Sequence, residues 1–114
     1  MVKPSIRILF GAASSLGPGK IALLESIGRT GSISGAARDM GMSYRRAWLL
    51  VEAMNTAFTQ PVVMAVTGGK RGGGAQVTDF GRALLERYRE IESKAAAAVA
   101  ADLKALAKML TQRE

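Results

Sequence analysis

The chain lacks cysteine and histidine, and aromatic residues make up only 5% of its 114 positions. Without cysteine it has no disulfide, no nucleophilic thiolate and no thiolate ligand for zinc. Without histidine it lacks the commonest general base and metal ligand, and it cannot build a Ser–His–Asp triad from its own residues. We therefore expect no enzymatic activity, no metal site and no cofactor.

A long hydrophobic run is also missing. A membrane-spanning helix needs ~20 mostly apolar residues, whereas the apolar stretch Ala95–Ala101 is short and rich in alanine. The N-terminal segment carries a short apolar run, but Arg7 interrupts it, which argues against a signal peptide. These features predict a cytoplasmic protein with no membrane partner, associated with the nucleoid if it binds DNA.

Acidic residues are in the minority, with nine Asp+Glu against sixteen Lys+Arg and a formal net charge of +7. Residues 1–78 carry nine basic and three acidic side chains, a net charge of +6, whereas residues 79–114 carry seven and six. A basic balance of this kind is typical of nucleic-acid-binding domains. We therefore predict a DNA-binding domain over residues 1–78 and a different role for residues 79–114.

Alternation of apolar and polar residues over Ser5–Phe10 predicts a short strand. The segment Gly11–Gly19 is rich in glycine, serine and proline, so we expect a loop there. A first helix follows over Lys20–Gly28, with apolar residues on one face, and Thr30-Gly31 ends it.

Two further helices flank a tight turn. Ser32 or Ser34 is placed to cap a helix that ends at Met40, and Gly41 supplies the left-handed stop. Ser43 then caps a helix from Tyr44 to about Phe58, whose buried stripe is predicted to comprise Ala47, Leu50, Val51, Met54 and Phe58. A glycine-containing turn between two short helices is the signature of a helix-turn-helix.

A hairpin is predicted after Pro61. Val62–Val66 and Gln76–Thr78 are β-prone, and the segment between them reads T-G-G-K-R-G-G-G-A. Lys70 and Arg71 would carry positive charge at its tip, along DNA phosphates or into a minor groove. The alternative is a flexible tip with incidental charge. Three helices followed by such a hairpin predict a mainly α fold of the winged helix-turn-helix type.

The last predicted helix begins at Asp79 behind a Thr78 cap and extends to about Leu110, a length of ~45–50 Å. It is too long for one small domain to bury. Its apolar positions recur at three- and four-residue spacing, which predicts a homodimer through this C-terminal helix; they are Leu84, Tyr88, Ile91, Ala95, Val99, Leu103, Leu106 and Leu110. The alternative is an amphipathic helix that packs only on its own domain.

The helix that begins at Tyr44 is the predicted recognition helix, because such helices read bases with their N-terminal residues in the major groove. Arg45 and Arg46 lie off the apolar stripe, and arginine can form a bidentate pair with guanine. Ser43 and Tyr44 can reach bases or phosphates. Ser32 and Ser34 open the preceding helix, whose N-terminus favours a phosphate. We expect the single tryptophan, Trp48, to pack in the core; the alternative is partial exposure beside DNA.

Two glycine-lysine pairs invite comparison with a phosphate-binding P-loop, G-x-x-x-x-G-K-[ST]. For Gly19-Lys20 the chain has Ser14 and Ile21 at the required positions, and for Gly69-Lys70 it has Met64 and Arg71. Each pair departs from the pattern at two positions, so nucleotide binding is not expected.

Two blocks of sequence resemble the ModE family of molybdate-responsive transcriptional regulators: S-Y-x-x-A-W from Ser43 to Trp48, and T-G-G-K-x-G-G-G-A from Thr67 to Ala75. The resemblance extends over roughly residues 20–90 and includes Gly31-Ser32-Ile33-Ser34, Ala36-Ala37, Asp39, Gly41, Met54-Asn55, Thr78 and Gly81. The helix-turn-helix alone also resembles LysR-type regulators, but that family lacks the glycine-rich wing.

The resemblance implies a homodimeric winged-helix domain that binds double-stranded DNA. In full-length family members, oxyanion-binding domains that sense molybdate or tungstate follow this domain. The sequence ends at Glu114, so we do not expect this chain to bind either oxyanion. Control of molybdenum uptake or molybdoenzyme genes is the function that the resemblance implies.

The leading hypothesis is therefore a sequence-specific transcriptional regulator that reads a palindrome as a homodimer. The alternative is a non-specific architectural DNA-binding protein of the nucleoid. A protein-interaction module with weak DNA affinity is a third possibility.

Overall fold

The computed structural model describes residues 2–11, 14–67 and 74–111. Most of the described chain is helical, and four short strands form two antiparallel pairs. In chain order the elements are β1 (Ile8–Leu9), β2 (Ser15–Leu16), α1 (Pro18–Thr30), α2 (Ile33–Met40), α3 (Tyr44–Ala57), β3 (Val63–Val66), β4 (Gly74–Val77), α4 (Asp79–Ala98) and α5 (Ala100–Ala107).

The predicted N-terminal strand is shorter than expected, and its partner lies where we predicted only a loop. β1 pairs with β2 of the same chain, with Ile8 opposite Leu16. Leu16 is buried with Ile21 and Tyr88 in a small apolar cluster. The loop prediction was wrong at β2 because contact with Tyr88, distant in sequence, buries Leu16.

Local signals in the sequence set the bounds of the first three helices. Pro18 is the first residue of α1, and Gly31 ends this helix at φ 80°. The Ser32 hydroxyl caps α2 by accepting a hydrogen bond from the Gly35 N–H, at 2.8 Å. These positions agree with the predicted caps and stops, although α1 begins earlier and ends later than predicted.

The main core lies where α1, α2 and α3 meet. Of the predicted α3 stripe, Ala47, Val51 and Met54 are buried, whereas Leu50 and Phe58 are partly buried at its edge. Small residues line the contact between α2 and α3, so these helices pack closely; they are Ala36, Ala37 and Ala47. The tight contact fixes the direction of α3 relative to the rest of the domain.

The β3–β4 hairpin follows α3 as predicted, with Val63 opposite Val77 and Val66 opposite Gly74. Its base is buried, since Val62, Val63, Ala75 and Val77 belong to the main core. Three packed helices followed by this hairpin make the fold a mainly α winged helix.

The predicted continuous C-terminal helix was wrong in one respect, since α4 ends at Ala98 and α5 begins at Ala100. Val99, between them, has φ −109° and ψ 12°, outside the helical range. The first part of the predicted seam packs on the chain itself: Tyr88 is buried, and its hydroxyl donates a hydrogen bond to the Ile6 carbonyl at 2.5 Å. Further along, Leu106 is 47% exposed and Leu110 53%.

Across the described ranges, no helix combines the length and apolarity that crossing a membrane requires.

Candidate nucleic-acid interface

Main-chain hydrogen bonds hold the turn between α2 and α3. Gly41 has φ 68°, and its N–H donates to the carbonyls of Ala37 and Arg38. The Met42 N–H also reaches the Ala37 carbonyl, at 3.0 Å. Because a side chain would strain the backbone at Gly41, the glycine sets the angle at which α3 leaves α2.

The first turn of α3 presents polar and positive groups to solvent. Ser43 caps the helix by accepting a hydrogen bond from the Arg46 N–H at 3.1 Å. Tyr44, Arg45 and Arg46 are exposed, which confirms that the arginines point away from the core. Within the described part of the chain no carboxylate forms an ion pair with either arginine. Two unpaired guanidinium groups at the positive end of a helix dipole favour an anion.

The two flanks of α3 have different neighbours. On one flank, Asn55 connects the helix to the base of the wing: its Oδ1 accepts hydrogen bonds from Val62 N (2.8 Å) and Val63 N (3.2 Å), and its Nδ2 donates to Val63 O (3.1 Å). On the other flank, Arg46 borders a depression that it shares with Arg7 and Lys20. The wing and this basic depression therefore lie on different sides of α3.

Ser32 and Ser34 have different environments at the start of α2. Ser32 is partly buried and its hydroxyl is engaged as the cap, whereas Ser34 is exposed. The two line an open depression together with Thr30, Gly31 and Arg38. The Thr30 hydroxyl is within hydrogen-bonding distance of the carbonyls of Ser26 (2.8 Å) and Ser32 (3.1 Å). The Ser32 hydroxyl accepts in the cap and keeps its O–H as a donor, so both serines remain candidates for contact with a phosphate.

The carboxylate of Asp39, close to the turn, is neutralised within the fold. It accepts hydrogen bonds from the Ser26 hydroxyl at 2.9 Å and from the Arg29 guanidinium at 2.5 Å. The Ser26 hydrogen bond, then the hydrogen bond and charge of Arg29, hold the pKa of Asp39 below its ordinary value. The acid thus ties α1 to α2 and adds little repulsion toward a nearby phosphate.

The wing is anchored to the turn between α1 and α2. The Ala75 N–H donates to the Gly31 carbonyl at 2.9 Å. A Cβ on Gly74 would lie only 2.8 Å from the same carbonyl, so the approach requires glycine there. Lys70 and Arg71, the predicted wing contacts, lie outside the described residues.

The core assignment of Trp48 was wrong, since its side chain is 42% exposed. Trp48 lies about a quarter-turn from the buried stripe of Ala47, Val51 and Met54, one turn after the exposed Tyr44. Leu49 beside it is 46% exposed. Sequence reasoning also missed Asn55 as the link to the wing; an amide inside an apolar helix, shortly before a predicted strand, was the available signal.

Comparisons with known proteins identify relatives, although no protein-family model matches the chain. The chain is 49% identical over 86 residues to the molybdenum-pterin-binding protein MopB of Rhodobacter capsulatus, covering 75% of this chain and 32% of that protein. It is 43% identical over 79 residues to the molybdenum transport protein ModE of Azotobacter vinelandii (69% and 29%). It is 42% identical over 81 residues to the DNA-binding transcriptional dual regulator ModE of Escherichia coli K12 (68% and 31%).

The chain thus spans about a third of the length of these curated relatives. Their names describe binding, transport and regulation and none names an enzyme, in agreement with the prediction that the chain is not an enzyme. The similarity, together with the winged-helix fold and the S-Y-x-x-A-W block on the exposed first turn of α3, shows that the chain is homologous over about 70% of its length to one part of ModE-type proteins.

Proposed function

We propose that this chain is a DNA-binding unit of a transcriptional regulator, and that it reads a palindromic site as a homodimer with α3 in the major groove. The observation that carries the proposal is the first turn of α3, where Arg45 and Arg46 are exposed and form no ion pair with the described acids. The regulator ModE of Escherichia coli, which is similar to this chain, is described as DNA-binding.

The geometry of α3 supports separate roles for the two arginines. Successive residues of an α-helix are about 100° apart, so Arg45 lies opposite the buried side of Ala47 and Val51, whereas Arg46 lies on a flank. With α3 in a groove about 12 Å wide, Arg45 faces the base edges and Arg46 faces one sugar-phosphate strand. We assign base readout to Arg45 first, with Tyr44 and Ser43 beside it, and phosphate contacts to Ser32 and Ser34.

The wing completes the proposed interface. β3 and β4 are held against α3 by Asn55 and against the α1–α2 turn by the Ala75–Gly31 hydrogen bond. In the glycine-rich segment between the strands, we assign Lys70 and Arg71 to the backbone or minor groove. Such contacts add affinity for any sequence, whereas base contacts add discrimination.

The decisive experiment is a salt series of binding to two duplexes, one carrying the palindrome that this protein selects from random DNA and one a scrambled sequence of equal length. A specific regulator should bind the selected site ~10³-fold more tightly at physiological salt. Failure to select any site, with equal binding to both duplexes, would instead identify a non-specific architectural protein.

Variants separate the two kinds of contact. Arg45→Ala removes a base contact worth about 1–3 kcal/mol, so it should reduce the difference in affinity between the selected and the scrambled duplex. Lys70→Gln with Arg71→Gln should weaken binding to both duplexes alike. Arg87→Ala, an exposed cation on α4, is the matched control and should change neither. Equal effects of the α3 and wing variants would contradict this division of roles.

The names of the relatives suggest genes of molybdenum uptake or of molybdoenzymes as targets. We propose no molybdate or tungstate site in the chain itself, because the cations of this interface that the structure describes border open depressions rather than an enclosed pocket. Thermal denaturation with and without molybdate should therefore give the same midpoint. An increase at low molybdate concentration would instead make the chain an oxyanion sensor.

A further inference from the structure

A basic depression lies beside the recognition helix, on a different flank from the wing. Three cations from distant parts of the sequence border it: Arg7 before β1, Lys20 in the first turn of α1, and Arg46 in the first turn of α3. Its volume is about 310 Å³, and no acidic residue lines it. Three positive charges thus border one solvent-accessible surface without a described acidic neighbour, which favours an anion there.

Packing holds two of the cations in position. The Lys20 ammonium donates one hydrogen bond to the Ser15 carbonyl at 2.8 Å, which leaves two N–H donors for a ligand. The Arg7 side chain lies over Gly17, since a Cβ on that glycine would be 3.5 Å from both Cβ and Cγ of Arg7. The β1–β2 pair therefore places Arg7 at the start of α1, beside Lys20.

The backbone around Gly17 adds to the positive potential. Gly17 is the N-cap of α1 but has no side chain to accept from the helix, and the first turn contains no acidic residue. Pro18 has no N–H to offer, but Gly19 and Lys20, whose N–H groups belong to the first turn of α1, both line the depression. Gly19-Lys20 does not match a nucleotide-binding P-loop. Lys20 is instead one of three cations around this open depression.

We propose that Arg7, Lys20 and Arg46 form a phosphate-binding site for the DNA backbone, on the flank of α3 away from the wing. This inference rests on the proposed function, because α3 in the major groove brings Arg46 toward one sugar-phosphate strand. The wing then meets the backbone on the other side, and the duplex is held across the groove by two separate sets of cations. Arg7 and Lys20 lie outside the helix-turn-helix, so they contribute affinity for any DNA duplex rather than discrimination between sequences.

The test compares Arg7→Gln and Lys20→Gln with Arg87→Gln, which removes the same charge from an exposed position on α4. Each phosphate contact contributes about 0.9 to the slope of log K against log salt. Each site variant should therefore flatten the slope by about 0.9 and weaken binding about fivefold at 0.15 M salt, equally for the selected and scrambled duplexes. Arg87→Gln should leave the slope unchanged.

Thermal melting checks that each variant is folded. If Lys20→Gln does not fold, Arg7→Gln, at an exposed position, is sufficient to test the site. An unchanged slope in Arg7→Gln would overturn the site while leaving the proposed function intact, provided that the unmodified chain still discriminates between the duplexes. If the unmodified chain does not discriminate between the two duplexes, the proposed function fails, and the phosphate site that rests on it fails with it.

Inorganic phosphate distinguishes a free anion from the DNA backbone as the occupant. We expect titration with inorganic phosphate to show no saturable binding at millimolar concentration, because the open depression supplies too few contacts without the rest of the duplex. Saturable binding that Arg7→Gln abolishes would assign the depression to a free oxyanion instead.

Discussion

At the residue scale, Asn55 shows how one side chain ties the recognition helix to the wing. Its amide oxygen accepts from two backbone N–H groups and its amide nitrogen donates to a carbonyl, while Val62 and Val63 are buried. The amide thus satisfies main-chain groups that water cannot reach. This contact also orients β3 relative to α3.

Asn55→Ala should destabilise the protein by about 2–4 kcal/mol, because it leaves at least one buried N–H group without a partner. Urea denaturation measures the loss. Thr56→Ala, an exposed change at the next position of the same helix, is the control and should stay within about 0.5 kcal/mol of the original chain. Similar midpoints for both variants would show that water replaces the amide.

Trp48 and Leu49 matter at the same scale because exposed apolar side chains on a groove-facing helix can contact thymine methyl groups. If α3 lies in the major groove as proposed, replacing a contacted thymine by deoxyuridine should weaken binding about fourfold for each lost methyl contact. Trp48→Gln should abolish that difference, because the variant has no ring to bury the methyl. Competition binding with methyl-deleted duplexes measures both effects. A methyl effect of the same size in Trp48→Gln would exclude this contact.

At the element scale, Gly81 determines how closely α4 approaches the base of the wing. A Cβ at this position would overlap the Val62 carbonyl and lie 2.7 Å from Cγ1 of Val77. Thr78 holds the same junction: its hydroxyl donates to the Pro61 carbonyl at 2.7 Å and accepts from the Gly81 N–H at 2.9 Å. The first turn of α4 cannot move relative to Pro61, which precedes β3, without loss of these hydrogen bonds.

Gly81→Ala should therefore destabilise the protein by about 2–4 kcal/mol, as expected for overpacking against backbone, despite the better helix propensity of alanine. Gly19→Ala is the matched control, because a Cβ there meets nothing within 4 Å and lies in the first turn of α1. That change should be neutral or stabilise by up to about 1 kcal/mol. Thermal melting measures the midpoint of each variant. Equal midpoints for Gly81→Ala and Gly19→Ala would mean that α4 can shift to make room for the added methyl group.

The elements that the sequence predicts well are those bounded by local signals. Ser32, Ser43 and Thr78 cap helices, and Gly31 and Gly41 stop them, because caps and left-handed stops depend only on residues within one turn. The mispredicted features depend on distant contacts or on backbone geometry without a local marker. β2 depends on burial of Leu16 beside Tyr88, the exposure of Trp48 depends on which elements flank α3, and the break at Val99 has neither proline nor glycine to mark it.

The candidate interface likewise has one part that the sequence predicts and one part that depends on distant contacts. The exposed arginines of α3 follow from the 3.6-residue period, which sequence alone provides. The depression formed by Arg7, Lys20 and Arg46 does not, because it depends on the β1–β2 pair and on the angle between α1 and α3. Residues far apart in the sequence thus become one surface only through tertiary packing.

At the scale of the whole molecule, the C-terminal segment has an apolar surface that its own chain leaves uncovered. Tyr88 and Leu84 of the predicted seam pack on the domain, but Leu106, Met109 and Leu110 are 47%, 82% and 53% exposed. α5 itself has no buried residue. We propose that a second copy covers this surface, since reading a palindrome requires two recognition helices about 34 Å apart.

Leu106→Glu with Leu110→Glu should convert the dimer into a monomer, because the change introduces charges into an apolar contact. Sedimentation equilibrium should then give the mass of one chain, 12.0 kDa, rather than twice that value. Affinity for the palindrome should fall while affinity for a single half-site is kept, because each monomer retains its own α3. Ala105→Glu, an exposed change on α5 at a position that the predicted seam does not include, is the control and should remain dimeric. A dimer that survives the double change would place the contact between copies elsewhere, and the spacing of the two recognition helices would then have to be set by that other surface.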